Sequence, residues 1–566
     1  MHTPKADPRP SLYYPYRVYS PWLPSSAKGQ PQSCTVAIVG AGPAGMVTAL
    51  MLAQHGVASV LLNAECQVSE GSRAIVFTRR SMEILQQVGV AHRVVASGLP
   101  WRFGNSYYRG RAVFRLEAPY DPDDRFFPMT NLQQQYLEEY LLDACAAEPL
   151  IEMRWGNKVT AVAQARDLAT LSVDTPEGVY EMRADWVVAA DGGRSGIRAA
   201  LGLSMEGASY EGRFVIADIR IDLPLPTERL AYFDPDWNPG NTILMHREPQ
   251  GIWRIDYQLP ETESVEEALR YESLKARIDA QLAMIGFAET PWELDWSSVY
   301  SARTLTLADY WHGRVLFVGD AAHLLPIFGV RGANTAFQDA QSLGWHLAMV
   351  AKGLTPESLL SDYSAERVGA AREIIDEAGK STRFMTPPTA GFRLLRNAVL
   401  SLSLTQAFVR PLYHWRTSRP HAYLQSRRNS PGDDDALFQS GPGHGDPPKN
   451  VHIGPNHYLL DHLASVFTLL YFSQSSPLPQ SLTEVVEKHR NRGMPIRVLI
   501  VGSAQNNFGD NQVVADDSGR VRQCYGIAAD GAGYLLRPDQ HICARWLTLD
   551  ADRLDVALRS ALPEKR

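Results

Sequence analysis

The chain has 566 residues, 45% of them hydrophobic and 21% charged, with a net charge of −7. A chain of this length holds two or three domains; without a basic block it offers nucleic acid no electrostatic footprint, and no apolar run approaches the roughly 20 residues of a membrane span. Its cysteines (Cys34, Cys66, Cys145, Cys524, Cys543) form no C-x-x-C pair, which argues against zinc or dithiol chemistry, leaves no metal site to expect, and suits a reducing cytoplasm.

Residues 1–33 open Pro- and Tyr-rich, lack the charged-then-apolar pattern of a signal peptide, and read as an extended arm over a domain surface. Residues 34–39 read as a strand. A tight turn, Gly40-x-Gly42-x-x-Gly45, leads into a helix over about 44–55 that Gly56 stops, and "VASVLL" follows as a parallel second strand. "RADWVVAAD" is a further strand, ending at Asp191. "RFVIADIRID", "NTILMHRE" and "GIWRIDYQL" alternate like an antiparallel sheet, the last two joined by a Pro-Gln-Gly turn. In the last, Arg254 and Asp256 share one face while Trp253, Ile255 and Tyr257 share the other. Val315–Val318 is a buried parallel strand ended by Gly319-Asp320. A helix begins near Ala333, with Phe337, Ala340, Leu343 (or Gly344) and Leu347 at helical spacing and Gly353 as its stop. After residue 380 the chain reads as a helical connector, and 427–450 as a linker or long surface loop. Residues 451–566 read as a small α/β domain with strands near "IRVLIVG" and "GYLLRPDQHICARW". There are no internal repeats.

The Gly40–Gly45 turn sits between strand and helix, where glycines let the backbone approach a pyrophosphate at the helix N-terminus. At the end of the second strand, where an acid normally accepts the ribose hydroxyls, stands Asn63, with Glu65 two residues on. Asp320 lies at the carboxyl end of a parallel strand, where ligands of open α/β sheets gather. Gly329 and Gly332 permit close approach to a flat ring. The following helix N-terminus suits negative charge. Arg331 either adds charge or faces solvent, and Asn334 either donates to the ring or caps the helix.

These motifs, in this order, resemble the single-component FAD-dependent aromatic hydroxylases (class A flavoprotein monooxygenases), in particular the phenol and 3-(3-hydroxyphenyl)propionate hydroxylase branch. "DWVVAADGGRSGIR", with Asp191, Gly192, Arg194, Ser195 and Arg198, matches the family's Asp-Gly motif, and "GRVLFVGDAAH", with Gly319 and Asp320, its Gly-Asp motif. The resemblance covers nearly the whole chain from residue 34. It implies an α/β fold: a Rossmann-like, p-hydroxybenzoate hydroxylase-like FAD-binding domain (34–202 and 300–395), an inserted antiparallel substrate-binding sheet (203–299), a connector (396–450) and a thioredoxin-like domain without C-x-x-C (451–566), in a monomer or homodimer.

It also implies chemistry. FAD is the cofactor and NADPH or NADH the transient reductant; O2 forms a flavin C4a-hydroperoxide that hydroxylates a substituted phenol or catechol. Attack at a carbon bearing a nitro group or halogen would expel that group. The implied cofactor contacts are Gly40, Gly42, Ala44 and Gly45 at the pyrophosphate turn, Asn63 or Glu65 at the ribose, Arg73 near the pyrophosphate, and Gln134 on the ribityl side. Asp191 and Gly192 belong to the Asp-Gly motif, Gly319 and Asp320 to the ribityl contact, and Pro326, Gly329, Gly332, Ala333 and Asn334 to the ring. Where the family carries prolines or a Pro-Phe pair, this chain has Pro326-Ile327-Phe328, so the carbonyl near the reactive flavin carbon is that of Ile327. On the substrate side the resemblance points to Arg254 and to His246, a phenol-proton acceptor, and Tyr232 is another candidate. Two other readings stay open: a tailoring hydroxylase of a polycyclic natural product, and a flavin-bearing sensor or scaffold without turnover. A flavin halogenase lacks support, since no W-x-W-x-I-P occurs.

Overall fold

The computed structural model describes residues 1–565 apart from 6, 25–31, 261, 327, 414–419, 506–507 and 509–510. Apolar runs with no polar alternation mark strands buried on both faces, and four of them build the centre of the first sheet. Its order is Trp311–His312, Val315–Phe317, Gly178–Ala189, Gln32–Val39, Ser59–Leu62, Ile151–Arg154. All neighbours are parallel except the first pair. Two antiparallel strands, Lys158–Gln164 and Ala169–Thr175, extend it. The helix Pro43–Gln54 starts with Pro at its first turn, and Gly56 follows its end at φ +72°. It packs on the buried helix Gly332–Ala351, so the glycine turn and the Gly-Asp strand end meet at one cleft.

The second sheet has eight strands, in the order His323–Leu324, Glu293–Thr306, Glu206–Arg220, Ile252–Leu259, Thr242–Arg247, Arg229–Phe233, Phe103–Tyr108, Arg111–Glu117. It is wider than the expected 203–299. The hairpin 103–117 joins through a parallel pairing of Phe103–Tyr108 with Arg229–Phe233, a contact between segments too far apart in the chain for local periodicity to reveal. Helix Tyr271–Met284 covers one face, packing Leu274, Ile278 and Leu282 on Val215, Ile243, Trp253, Ile255 and Tyr257. The other face looks toward the loop at Phe328 and the end of helix Leu359–Met385. That helix runs through residue 380, so the connector starts later than expected, with Ala390–Ser403 as its own helix.

The C-terminal part carries a five-stranded mixed sheet, in the order Gln512–Ala515, Ile496–Gly502, Phe467–Phe472, Ala532–Leu536, Ile542–Trp546. The stretch "GYLLRPDQHICARW" is thus a hairpin, reversing at Gln540 with φ +63°. It is fused to the first domain: Arg537 makes a bidentate pair with Glu366 (2.7 and 2.8 Å), and Trp345 Nε1 donates to Asp539 (3.0 Å). Residues 427–450 form a loop pinned in place rather than a free linker, because Asp435 pairs with Arg545 and Asp434 accepts from the Leu547 amide. The described part of the N-terminal arm is tied to the body of the protein. Arg9, Ser11 and the Leu12 amide converge on the buried carboxylate of Asp295, and the Lys5 ammonium pairs with Glu70 at 2.8 Å. No helix among the described residues is long and apolar enough to cross a membrane.

Candidate active site

The cleft is built where the backbone has no room for side chains. A methyl on Gly40, at φ +107°, would lie 2.4 Å from the Ala190 carbonyl oxygen, and one on Gly45 would lie 2.0 Å from that of Gly40. Both glycines therefore serve close packing of turn, helix and strand. The side-chain directions of Gly42, Gly192 and Gly332, by contrast, meet nothing within 4 Å. Gly42 and Gly192 follow the carboxyl ends of neighbouring parallel strands, and Gly332 opens the helix packed on Pro43–Gln54. Ala44 and Gly319 close the cleft floor, the built methyl of Gly319 coming 3.1 Å from the Ala44 Cβ. Asp320 is exposed to the cleft, yet sunk deeply enough for burial to raise its carboxyl, with His323 and Arg73 pulling it back down. Asp191 accepts from the Ile197 amide at 3.1 Å while its Oδ1 is buried without a partner. Burial raises this carboxyl too. Pro326 is buried, Gly329 and Ala333 are half-buried, and Val330 sits at φ +56°, a left-handed conformation that costs a β-branched residue about 1–3 kcal/mol. Ile327 lies outside the described residues. Helix Gly332–Ala351 begins at the same loop, and its first amides have no intrahelical acceptor.

Several expected contacts are spent on the protein itself. Asn334 Oδ1 accepts from the Thr78 amide (2.9 Å) and from Ser81 Oγ (2.6 Å), while Nδ2 donates to the Val76 and Val330 carbonyls. Its side chain neither caps its own helix nor is left to reach a flavin ring; it ties the helix start to strand Val76–Thr78. Gln134 Oε1 accepts from the Ala74 amide (2.9 Å) and Nε2 donates to Glu138 (2.6 Å), so it holds the loop that carries Arg73. Asn63 Oδ1 accepts from the Ala41 amide and Nδ2 donates to the Glu65 carbonyl, bracing the turn. The Glu65 carboxylate takes the Lys5 amide of the N-terminal arm. Arg73 is exposed. Arg331 is buried, which excludes a solvent-facing role.

Beneath the Gly-Asp strand end lies a buried network. Asp339 accepts from the Gly319 amide (3.1 Å), from Arg367 Nε (2.7 Å) and from His323 Nε2 (2.6 Å). Arg367 and His323 hold its carboxyl down at about 2 despite burial. Arg367 donates onward to Tyr423 (3.0 Å), which packs on His541 of the C-terminal sheet.

The second sheet presents rows of side chains across its strands. Arg229, His246, Arg254 and Asp218 form one row; Ala231, Leu244, Asp256 and Ile216 form the next. Arg254 and Asp256 thus share a face, as alternation predicts. Arg254 makes a bidentate pair with Asp218 (2.8 and 2.9 Å), lies 3.5 Å from Glu248, and donates to the Ser72 and Arg73 carbonyls. Burial opposes its charge, but Asp218 and Glu248 outweigh it, so its pKa is raised and it stays a cation. Glu248 is pushed well up by burial and by Asp218. His246 is buried against Trp101 with Nδ1 unpartnered; burial, then Arg229 and Arg254, hold its imidazole well below the usual range. It is a neutral hydrogen-bonding group and a weak base. Tyr232 lies in the row of Ile243 and Tyr257, on the helix-covered face, stacked on Tyr107 at 4.9 Å. The strand register therefore removes Tyr232 from the face that bears His246 and Arg254.

Against this face lies a narrow cavity of about 20 Å³. Its walls are Ser106, Arg229 and Phe233 from the sheet, Phe328 and Gly329 from the loop at the cleft, and Ser381, Phe384, Met385 and Tyr413 beyond the sheet. Phe328 meets Phe214 edge-on at 5.3 Å, and Phe214 stacks on Tyr300. Burial lowers the Arg229 guanidinium to about 10, which leaves it charged at neutral pH.

The cleft has its counterpart among known proteins. Residues 33–378 match the model of the FAD binding domain family. The chain belongs to that FAD-binding family. A 3-(3-hydroxy-phenyl)propionate/3-hydroxycinnamic acid hydroxylase of Mycolicibacterium smegmatis is 29% identical, over 65% of this chain and 64% of that protein. A protein of the same name from Mycobacterium sp. (strain KMS) is 25% identical over 93% of this chain and 91% of its own length. The solved structure of the flavin-dependent monooxygenase PieE in complex with FAD and substrate superposes with a TM-score of 0.79 at 22% identity, covering 94% of this chain and 99% of that one. The chain is accordingly an enzyme of the flavin-dependent monooxygenase type with FAD as cofactor, of the class A aromatic hydroxylase kind.

The geometry of this monooxygenase fits FAD. Gly42, Gly192 and Gly332 leave open space, a carboxylate at the next strand end is exposed, and a helix start adjoins it. The residues that sequence reasoning missed are those reached only by tertiary contact. Arg229, Phe384, Met385 and Tyr413 meet across the cavity from three remote segments. Asn131 and Gln133 fasten the strand-to-helix junction at 131–134 to the turn between Thr242–Arg247 and Ile252–Leu259 by donating to the Arg247 and Pro249 carbonyls. Asn131 and Gln133 flank Leu132 in a strand-to-helix junction, a polar pattern that pointed nowhere without its partner strand.

Proposed function

We propose that this monooxygenase hydroxylates a single-ring substituted phenol or catechol with NAD(P)H and O2 in the cytoplasm. The aromatic lining around Arg229 at the Phe328–Gly329 loop carries this reading. The cavity's walls are largely aromatic, and the charged Arg229 guanidinium lines it. The relatives named for hydroxylation of a hydroxyphenyl acid support the same substrate class.

Bound FAD, reduced by NAD(P)H, supplies the activation of O2. The chain supplies the rest. The Gly40–Gly45 turn and the adjoining helix start receive the pyrophosphate, Asp320 accepts a hydroxyl of the ribityl chain, and Arg73 adds positive charge at the cleft mouth. Asn334 and Gln134 act at one remove, by fixing strand Val76–Thr78 and the Arg73 loop. Arg254 is a positioning residue for that same loop. Phe328, Phe233 and Phe384 orient a ring and exclude water, which keeps reduced flavin and O2 from yielding hydrogen peroxide. His246 accepts a hydrogen bond from the substrate through Nδ1. The C-terminal domain, thioredoxin-like but without a C-x-x-C, serves as a structural module that braces the Gly-Asp strand end through Tyr423 and Arg367.

The test is NAD(P)H consumption by FAD-loaded protein with a panel of single-ring phenols, including nitro- and halophenols, and of polycyclic phenols. Stimulation by single-ring phenols with stoichiometric hydroxylated product is expected, and nitrite or halide release identifies attack at a substituted carbon. Stimulation by polycyclic substrates alone would favour the tailoring reading, and stimulation by none would favour a sensor. Running the panel with NADH and NADPH in turn identifies the reductant.

A further inference from the structure

We propose that Asp256 is the catalytic base of this enzyme, taking the phenolic proton of the substrate while the Arg229 guanidinium holds the oxygen that remains. This rests on the phenol reading above. Asp256 occupies the row next to Arg229, His246 and Arg254, on the face that looks toward Phe328, and is buried. Its Oδ1 is buried with no hydrogen-bond partner. A buried carboxylate oxygen without a donor is costly, and a ligand hydroxyl reaching this face of the sheet would relieve that cost. Arg229, which lines the cavity, lies close enough to Asp256 to act on its charge.

The groups that face Asp256 come from every strand around it. Arg254 is on its own strand, His246 and Glu248 are on the preceding strand and its turn, Arg229 is on the next, Asp218 is on the other neighbour, and Tyr300 lies beyond that. Burial lifts the Asp256 carboxyl, Arg254 and Arg229 pull it back, Asp218 pushes it up, and the balance lies at about 7. A base balanced near the working pH combines a useful ionised fraction with real basicity. His246 fails that requirement, since its imidazole is held far lower. Tyr300 stays neutral because burial and the Asp256 charge raise its phenol well above the ordinary value.

The step balances without any co-reactant. The phenolic O–H bond breaks, the proton goes to the Asp256 carboxylate, and the electron pair stays on the oxygen beside Arg229. Ring density rises at the ortho and para carbons, where hydroxylation occurs.

The experiment compares a phenol with its methyl ether. Each is titrated into FAD-loaded protein across neutral pH, and binding is followed by the flavin absorbance change. Wild-type affinity for the phenol should tighten about five- to tenfold as Asp256 ionises, the gain of a charge-assisted over a neutral hydrogen bond. The methyl ether, which has no proton to offer, should show no such dependence. Asp256→Asn should flatten the phenol titration and slow hydroxylation about 100-fold or more. Asp256→Glu should restore a titration at a shifted midpoint; it also decides the matter if the Asn variant does not retain FAD. A phenol titration that keeps its wild-type midpoint in these variants, with hydroxylation within a few-fold of wild type, overturns the assignment of Asp256. Failure of the phenol reading is distinct: no phenol would then bind to, or stimulate, the wild-type enzyme.

Discussion

Arg254→Leu probes the junction between the two sheets. In the native protein Arg254 neutralises Asp218 through two hydrogen bonds at 2.8 and 2.9 Å, lies 3.5 Å from Glu248, and holds the Ser72 and Arg73 carbonyls. Both carboxylates have fully buried side chains. Removing one partner of a buried pair leaves an uncompensated charge and costs about 3–5 kcal/mol. The released loop carries Arg73, so FAD should dissociate more readily as well. The loss must also depend on pH. Without Arg254 the two carboxyls stay raised above the unfolded range of roughly 4, so the folded state binds more protons than the unfolded one above that pH. The stability deficit should therefore narrow toward acid and widen as pH rises. Urea unfolding followed by tryptophan fluorescence at several pH values, with released FAD measured in parallel, reads both effects. A variant that unfolds with wild type at neutral pH and holds FAD equally well would refute this account of the junction.

Other perturbations test the cleft and the arm. Asp320→Ala removes a charged acceptor worth about 1.5–3 kcal/mol, so equilibrium dialysis should show FAD affinity lower by about 10- to 100-fold; equal affinity would mean that Asp320 does not meet the cofactor. Gly45→Ala forces a methyl to 2.0 Å from the Gly40 carbonyl oxygen, so the purified variant should be colourless or insoluble, and a yellow, stable protein would contradict the close packing of turn and helix. Deleting residues 1–13 strips Arg9, Ser11 and the Leu12 amide from the buried Asp295 carboxylate, so the truncated protein should unfold at lower urea, by about 3 kcal/mol or more. Asp295→Asn in the truncated background should recover part of that loss, and no recovery would show that the unpaired charge is not its source.

What the sequence revealed and what it hid divide along a physical line. Gly40, Gly42 and Gly45 were legible because their demand is local: a strand, a turn and a helix follow one another within about a dozen residues, and Gly40 and Gly45 leave no room for a Cβ. Asp320 was legible from its place at the end of an apolar strand. The Arg254/Asp256 face was legible because alternation along one strand suffices to assign it. Tyr232 was misplaced because its face depends on register with Ile243, which no single strand encodes. Asn334 and Gln134 look like ligand groups in one dimension, yet Thr78, Ser81, Val76 and Ala74 satisfy them in three. The cavity was hidden most completely, since Ser106, Arg229, Phe328 and Tyr413 come together only when the hairpin 103–117 adds itself to a sheet begun a hundred residues later.

The central claim is that the cleft holds FAD and the adjoining face holds a phenol so that one atom of O2 enters the ring. Reaction of the FAD-loaded enzyme with NAD(P)H, a single-ring phenol and isotopically labelled dioxygen tests it directly by mass spectrometry of the product. The account predicts one labelled oxygen atom per product molecule, with NAD(P)H consumed in proportion. Product without label, or NAD(P)H consumption that yields only hydrogen peroxide for every phenol, would contradict it.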